Sequence, residues 1–135
     1  MLYEELKSIE NLLEGNEYSD GGTSYCIGFD KIDDALSLDS AIKKILLEIE
    51  AIVSSEENIV ITPIKHSRNE IKNLCVEWHL NEQICNKILS LLDDDTNLYR
   101  CCNDYEYISK GVVGEIFRII EKGQERVLID FYVVD

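Results

Sequence analysis

Four stretches of the sequence carry apolar residues at the three- and four-residue spacing of an amphipathic helix. The first is followed by Gly15, a residue type that often ends a helix. The second runs from about 38 to 53, with Ser37 as its expected N-cap. Two more lie within 67–92. The four apolar stripes are Leu2, Leu6, Ile9 and Leu13; Leu38, Ile42, Ile45, Leu46, Ile49 and Val53; Ile71, Leu74, Cys75 and Trp78; and Ile84, Cys85, Ile88, Leu89 and Leu92.

Polar residues predict where the last two helices begin and end. Ser67-Arg68-Asn69-Glu70 has the form of a capping box. Asn81 is the expected cap of the following helix, although one long helix is an alternative, because neither Gly nor Pro separates the two stripes. Asp93, Asp94 and Asp95 end the run, since carboxylates are unfavourable at the negative end of a helix.

The intervening segments predict short strands and loops. Asn16–Thr23 has the composition of a loop, and Ser24–Phe29 is a candidate strand. Ile59–Thr62 predicts a buried strand that ends at Pro63, the only proline of the chain.

The C-terminal quarter predicts a β-hairpin. The β-branched and aromatic residues of 127–134 are typical of a strand. The apolar residues of 112–120 fit either one face of a helix that ends near Gly123 or the first strand of a hairpin. The β-branched content, the interior Gly114 and the need of a long strand for a partner favour the hairpin, with its turn at 121–124.

These elements predict a single α+β domain over residues 1–135. Three to four amphipathic helices are expected to pack on a small, mostly antiparallel sheet with a C-terminal β-hairpin. A chain of 135 residues is long enough for one domain with its own core, and it contains no internal repeat or low-complexity linker.

The excess of acidic over basic residues limits the classes of molecule that the protein is expected to bind. The chain has 27 Asp and Glu against 13 Lys and Arg, for a net charge of −14. Because 45% of the residues are hydrophobic, this acidity belongs to the surface of a folded domain. Nucleic acid and anionic membranes are excluded as direct ligands, since Lys and Arg carry phosphate binding. Fast capture of a basic partner is the expected benefit of so much negative charge.

The sequence also predicts a compartment. Residues 1–6 lack the basic start and apolar run of a signal peptide, and no apolar stretch approaches transmembrane length. The cysteines are odd in number and irregularly spaced, so we expect free thiols in the reducing cytoplasm rather than disulfides. They are Cys26, Cys75, Cys85, Cys101 and Cys102.

Candidate sites for chemistry are sparse. Cys75 and His79 stand four apart, so a helix would place them on one face as a metal pair, but two ligands do not complete a zinc site. The run 93–97 lacks the residue order of a calcium loop. Cys101 and Cys102 are expected to be ordinary thiols. We therefore predict no catalytic residues, no metal and no cofactor, and a protein that is not an enzyme.

The segment 93–107 combines carboxylates with tyrosines and is the predicted partner-binding surface. Tyrosine gives large contact area at low entropic cost, and carboxylates steer a basic partner. The alternative is a strand with half-buried tyrosines and solvated carboxylates. The predicted binding residues are Asp93, Asp94, Asp95, Tyr99, Asp104, Tyr105, Glu106 and Tyr107.

In its small size, acidity, expected cytosolic thiols and lack of a catalytic motif, the chain resembles small acidic immunity proteins of bacterial contact-dependent growth inhibition and bacteriocin systems. The resemblance covers the general character of the chain. It implies an antitoxin that neutralises a cationic toxin, expected to be a nuclease, by occluding its basic active site with an acidic, tyrosine-containing surface. Two alternatives are a non-catalytic subunit or adaptor of a larger assembly, and a phage-type nucleic-acid mimic that blocks a defence enzyme.

Overall fold

The described elements are helices and the strands of one sheet. The computed structural model describes residues 1–49, 56, 59–101 and 112–134. Within these residues the helices are α1 (Leu2–Leu13), α2 (Leu38–Glu48), α3 (Ser67–Glu77) and α4 (Glu82–Ser90). The strands are β1 (Tyr18–Asp20), β2 (Thr23–Lys31), β3 (Ile61–Ile64), β4 (Thr96–Cys101), β5 (Val112–Lys122) and β6 (Glu125–Val134).

The strands form a six-stranded sheet in the order β1-β2-β6-β5-β4-β3, and every neighbouring pair is antiparallel. The hairpin of β5 and β6 lies at its centre. Lys122 pairs with Glu125 across a two-residue turn in which Gly123 has a φ of 62°. The turn therefore uses the one residue type that adopts this conformation without strain. The predicted C-terminal hairpin and the α+β antiparallel domain are both confirmed.

Both faces of the central hairpin are buried, which gives the domain three layers. Along β6, Val127, Ile129 and Phe131 face one core and Leu128 faces the other. Helices α1, α3 and α4 cover the first face, and α2 covers the second. An apolar run without strict alternation is expected of a strand that is covered on both sides.

Helix α1 covers the part of β2 that β1 leaves unpaired. Strand β1 pairs with Thr23–Tyr25, and no described strand lies beside the edge of β2 beyond this point. There the side chain of Glu10 accepts a hydrogen bond from the Phe29 amide at 2.7 Å. Lys7 Nζ donates to the Phe29 carbonyl at 3.4 Å. Polar side chains of the helix thus satisfy backbone groups at an open sheet edge.

Two predicted helix caps are confirmed. The Ser37 hydroxyl accepts a hydrogen bond from the Ser40 amide at the start of α2. The Asn81 side chain accepts one from the Gln83 amide at the start of α4. Helix α2 ends at Glu48, earlier than predicted; residues 50–53 of the predicted helix lie outside the described residues.

Strand β3 differs from the predicted buried strand. It includes Pro63, which pairs with Tyr99 of β4, and it is the edge strand of the sheet. Its residues are half-buried or exposed. An edge strand tolerates proline because one side of its backbone has no strand to bond. The prediction that Pro63 ends a buried strand was therefore wrong.

The predicted capping box at the start of α3 was also wrong. Ser67 is already the first helical residue, and His66 is the N-cap without a side-chain hydrogen bond. Glu70 instead forms an ion pair with Arg118 of β5, whose Nη2 lies 2.8 Å from Glu70 Oε1. Arg118 is 1% exposed, and its Nη1 also donates to the Phe117 carbonyl. This pair holds α3 against the centre of the sheet.

The described helices are all too short or too polar to cross a membrane.

We expect Glu70→Ala to destabilise the protein, because it removes a charged partner from a buried guanidinium. A loss of about 2–4 kcal/mol is expected, less than for a fully buried pair since the Glu70 side chain is 25% exposed. The matched control is Glu77→Ala, an exposed position on the same helix, which should change stability by at most about 0.5 kcal/mol. Urea unfolding of both variants measures the difference. Equal stabilities would contradict a role of Glu70 in holding α3.

Candidate functional site

An open cleft of about 580 Å³ lies between the end of α1, the β1–β2 hairpin and the segment that joins α3 to α4. Tyr132 of β6 also lines it. The lining contains three glutamates, three tyrosines and one histidine, but no lysine or arginine from the described part of the chain. These residues are Glu10, Glu14, Glu17, Tyr18, Tyr25, Tyr132 and His79. Acidic and aromatic groups therefore meet on one concave surface.

The β1–β2 hairpin places two of the tyrosines side by side. Its turn consists of Gly21 and Gly22, with φ values of 60° and 88°. Two successive positive φ values are typical of the tight turns that join antiparallel strands. As a result Tyr18 pairs with Tyr25, and their ring centroids are 5.8 Å apart. The prediction that 16–23 is a loop was wrong over β1, although Asp20-Gly21-Gly22 is a recognised hairpin signal.

The end of α3 places His79 in the cleft. His79 has a φ of 57°, the left-handed conformation that usually favours glycine. Its amide donates to the Val76 carbonyl, and the Leu80 amide donates to the Cys75 carbonyl at 2.9 Å. These two bonds form the Schellman motif that ends many helices. They separate α3 from α4, so the alternative of one long helix is excluded.

This helix end also separates Cys75 from His79. Cys75 is buried in the core, where burial and the neighbouring Cys85 thiol raise its pKa. His79 lies beyond the last turn of α3 and is exposed. A metal pair at this spacing needs a helix that continues through residue 79, whereas α3 ends before it. Among the described residues, no three His, Cys, Asp or Glu side chains are arranged to hold a metal ion.

The rings around His79 form a chain that extends into the core. His79 stacks on Tyr18, with centroids 4.2 Å apart, and meets Tyr25 edge to face at 4.8 Å. Tyr25 in turn contacts Trp78, and Trp78 contacts Phe131. Such ring pairs contribute about 0.5–1.5 kcal/mol each beyond their burial. The aromatic wall of the cleft is therefore backed by buried side chains.

Burial and nearby charged groups raise the pKa values of two side chains of the cleft, Tyr132 and Cys26. Burial, with smaller contributions from the neighbouring groups that include Glu10 and Glu17, raises the pKa of Tyr132 to about 12. Burial and then Glu17 raise the pKa of the Cys26 thiol. Tyr132 and Cys26 are thus neutral at physiological pH.

The three glutamates differ in what they contact. Glu10 accepts a hydrogen bond from the Phe29 amide and pairs with Lys7. No hydrogen bond or ion pair joins the side chain of Glu14 or Glu17 to another described residue. Glu14 is exposed and Glu17 is half-buried. Two carboxylates of the cleft are therefore left for an external cation.

The predicted binding segment 93–107 is only partly described. Asp93 and its two neighbours lie in the exposed turn before β4. Asp93 Oδ2 lies 2.9 Å from Lys122 Nζ, and this hydrogen bond lowers the pKa of Asp93. Asp94 and Asp95 are exposed. The structure therefore brings the three aspartates into one turn, with Asp93 already paired.

Tyr99 lies on β4 and packs against the core beneath α2. Its hydroxyl forms a hydrogen bond with Glu121 at 3.2 Å, and burial raises its pKa. Asp104, Tyr105, Glu106 and Tyr107 lie outside the described residues, so their part of the predicted surface stays a prediction. The sequence suggested Glu14 to Asp20, with Tyr18, as a possible extension of the acidic surface, but it did not predict the cleft, because the lining residues come from four separate segments of the chain.

No family model matches the sequence, and no match is found among curated proteins. Crystal structures of citrus MAF1 in space groups C 2 2 21 and P 31 2 1 are similar to this chain, with TM-scores of 0.51 and 0.52. The sequence identities are 12% and 13%, and each alignment covers 96% of this chain and 98% of the citrus chain. At such identities the similarity shows a related fold alone.

We expect His79→Gly to be more stable than His79→Ala by about 1 kcal/mol, because only glycine relieves the cost of the positive φ. Both variants lose the stacked ring, so their difference isolates the backbone contribution. Urea unfolding measures it, with the wild-type protein as the reference. An alanine variant as stable as the glycine variant would show that position 79 does not keep a left-handed conformation.

Proposed function

We propose that this protein is an immunity-type inhibitor that binds and neutralises a cationic toxin, with a nuclease as the leading class. The observation that carries the proposal is the cleft, where glutamates and tyrosines surround a concave surface that no described lysine or arginine lines. Binding, rather than turnover, is the proposed activity. The partner is a basic protein domain, with neither nucleic acid nor membrane as a direct ligand.

The electrostatics favour a basic macromolecule as the occupant. A charge of −14 on 135 residues attracts cations at long range, and a concave surface focuses the field. Steering of this kind raises association rates by about 10- to 1,000-fold at low salt. Nucleases hold phosphates with Lys and Arg, so an acidic surface is complementary to their active sites. Occlusion of such a site neutralises the toxin without any chemistry on the inhibitor.

Tyrosine supplies the short-range part of the proposed interaction. Tyr18 is 44% exposed, which is high for a large aromatic side chain, and it forms the outer end of the ring chain. Tyrosine is enriched among residues that dominate binding energy at interfaces. The exposed Tyr18 ring therefore lines the same cleft as two carboxylates that have no partner within the described residues. This combination is suited to binding a partner protein, whereas scattered surface carboxylates serve solubility alone.

We expect the reading frame immediately upstream of its gene to encode a protein with a basic C-terminal toxin domain, and co-expression of this protein to restore growth of bacteria that are arrested by that domain. Growth curves after induction measure the rescue, and a Phe131→Asp variant that disrupts the core is the negative control. Continued arrest in the presence of the folded protein would contradict the proposal.

The same pair of purified proteins tests the mechanism. We expect the association rate to fall at least about tenfold between 50 and 300 mM NaCl, because salt screens steering, while dissociation changes little. Stopped-flow mixing measures both rates. An association rate that does not respond to salt would favour an apolar contact of the kind found in a larger assembly, and would contradict electrostatic capture.

A further inference from the structure

We propose that the cleft between α1, the β1–β2 hairpin and the α3–α4 segment binds an arginine side chain that the basic partner presents. Glu14 and Glu17 are the carboxylates that receive the guanidinium, and the tyrosine rings are its walls. This inference rests on the proposed function, because it names the group through which a basic protein engages this surface. The volume of the cleft, about 580 Å³, lies within the range of about 300–1,000 Å³ that is typical of ligand clefts.

The charge of the cleft is not neutralised within the described residues. Of its three glutamates, only Glu10 has partners among the described residues, namely the Phe29 amide and Lys7. Glu14 and Glu17 lie close together in sequence, just before β1, and both line the cleft. A cation that enters the cleft therefore meets two carboxylates that form no ion pair with another described residue.

The field of Glu17 extends into the cleft. Burial is the main cause of the raised pKa of Cys26, and Glu17 is the next cause. Burial is also the main cause of the raised pKa of Tyr132, where Glu17 makes the smallest of several contributions. Two different side chains on β2 and β6 thus sense the same negative charge. Cys26 and Tyr132 also pair directly in the sheet, so the closeness of these two side chains is established by the strand register and not by their pKa shifts.

The aromatic wall favours arginine over lysine. A planar guanidinium stacks on aromatic rings and forms paired hydrogen bonds with a carboxylate, whereas an ammonium group is a compact, strongly hydrated charge. Tyr18 presents a partly exposed ring to the cleft that the glutamates also line, and this ring stacks on His79. A cleft that offers rings and carboxylates together matches both properties of arginine.

The site is also held in place before binding. The helix end at His79, the glycine turn of the β1–β2 hairpin and the contact of Trp78 with Phe131 position its rings. In addition, Trp78 Nε1 donates a hydrogen bond to the Tyr132 carbonyl at 3.0 Å. Rings that are already ordered lose little conformational entropy when a ligand binds, which raises affinity.

The probe for this site is a capped Gly-Gly-Arg-Gly-Gly peptide, and its control is the same peptide with citrulline, a neutral isostere of arginine. We expect the arginine peptide to shift the NMR signals of the Tyr18, Tyr25 and His79 side chains at 20 mM NaCl. The citrulline peptide should bind at least about tenfold more weakly, because it lacks the charge. Equal binding of the two, or no shift of these signals, would overturn the proposal. A lysine peptide that binds as tightly as the arginine peptide would overturn the assignment of arginine.

Two matched double variants locate the site. Glu14→Gln/Glu17→Gln should weaken binding of the arginine peptide at least about tenfold, because both receiving carboxylates are lost. Asp34→Asn/Asp39→Asn removes the same charge from exposed positions outside the cleft lining and should change the affinity less than about twofold, since solvent and salt screen distant charges. Equal weakening by the two variants would show a general charge effect and overturn the site. Unchanged backbone NMR spectra confirm that both variants are folded.

The outcomes separate this inference from the proposed function. If the protein rescues growth and Glu14→Gln/Glu17→Gln rescues equally, with no preference for the arginine peptide, the cleft assignment fails and the inhibitor function stands. If the arginine peptide binds in the cleft but growth is not rescued, the site stands and the inhibitor function fails.

Discussion

The burial of both faces of the β5–β6 hairpin is the constraint on which the rest of the structure depends. Its strands carry apolar side chains on both sides, so neither face tolerates water and helices are needed above and below. Helix α2 lies between β2 and β3 in sequence, and these two strands belong to opposite halves of the sheet. The helix packs on the face of the sheet opposite to the other helices. The buried Arg118 is tolerated at the centre because Glu70 reaches it from α3.

A sheet that is buried at its centre still has two edges, and different structural features protect each edge from pairing with a further strand. At β3, proline and partial exposure discourage further pairing. At β2, the short strand β1 covers one part of the edge and polar side chains of α1 cover the rest. The cleft opens where these two covers meet. The candidate binding surface is thus a consequence of how the sheet edge is closed, and Glu14 and Glu17 lie on the segment that connects α1 to β1.

Sequence patterns predicted the elements whose signals are local. The stripe from Leu2 to Leu13, the cap at Asn81 and the turn at Gly123 depend on residues within a few positions of each other, and each is present. Errors arose where a distant partner decided the outcome. Glu70 had the position of a capping residue, but a buried guanidinium on β5 is a stronger partner than an exposed backbone amide. Cys75 and His79 had the spacing of a pair, but a helix end between them placed one in the core and the other on the surface.

By itself the sequence determined the composition of the surface, the helix and strand periodicities and the glycine turns, because these depend on residue type and short-range sterics. The net charge of −14 and the apolar hairpin belong to this category. Only the tertiary structure decided which acidic residues act together. Asp93 is used in an ion pair with Lys122, whereas Glu14 and Glu17 line a cleft with rings from β1, β2 and β6. Hydrophobic burial selects that arrangement through contacts between segments far apart in the chain, which no local pattern encodes.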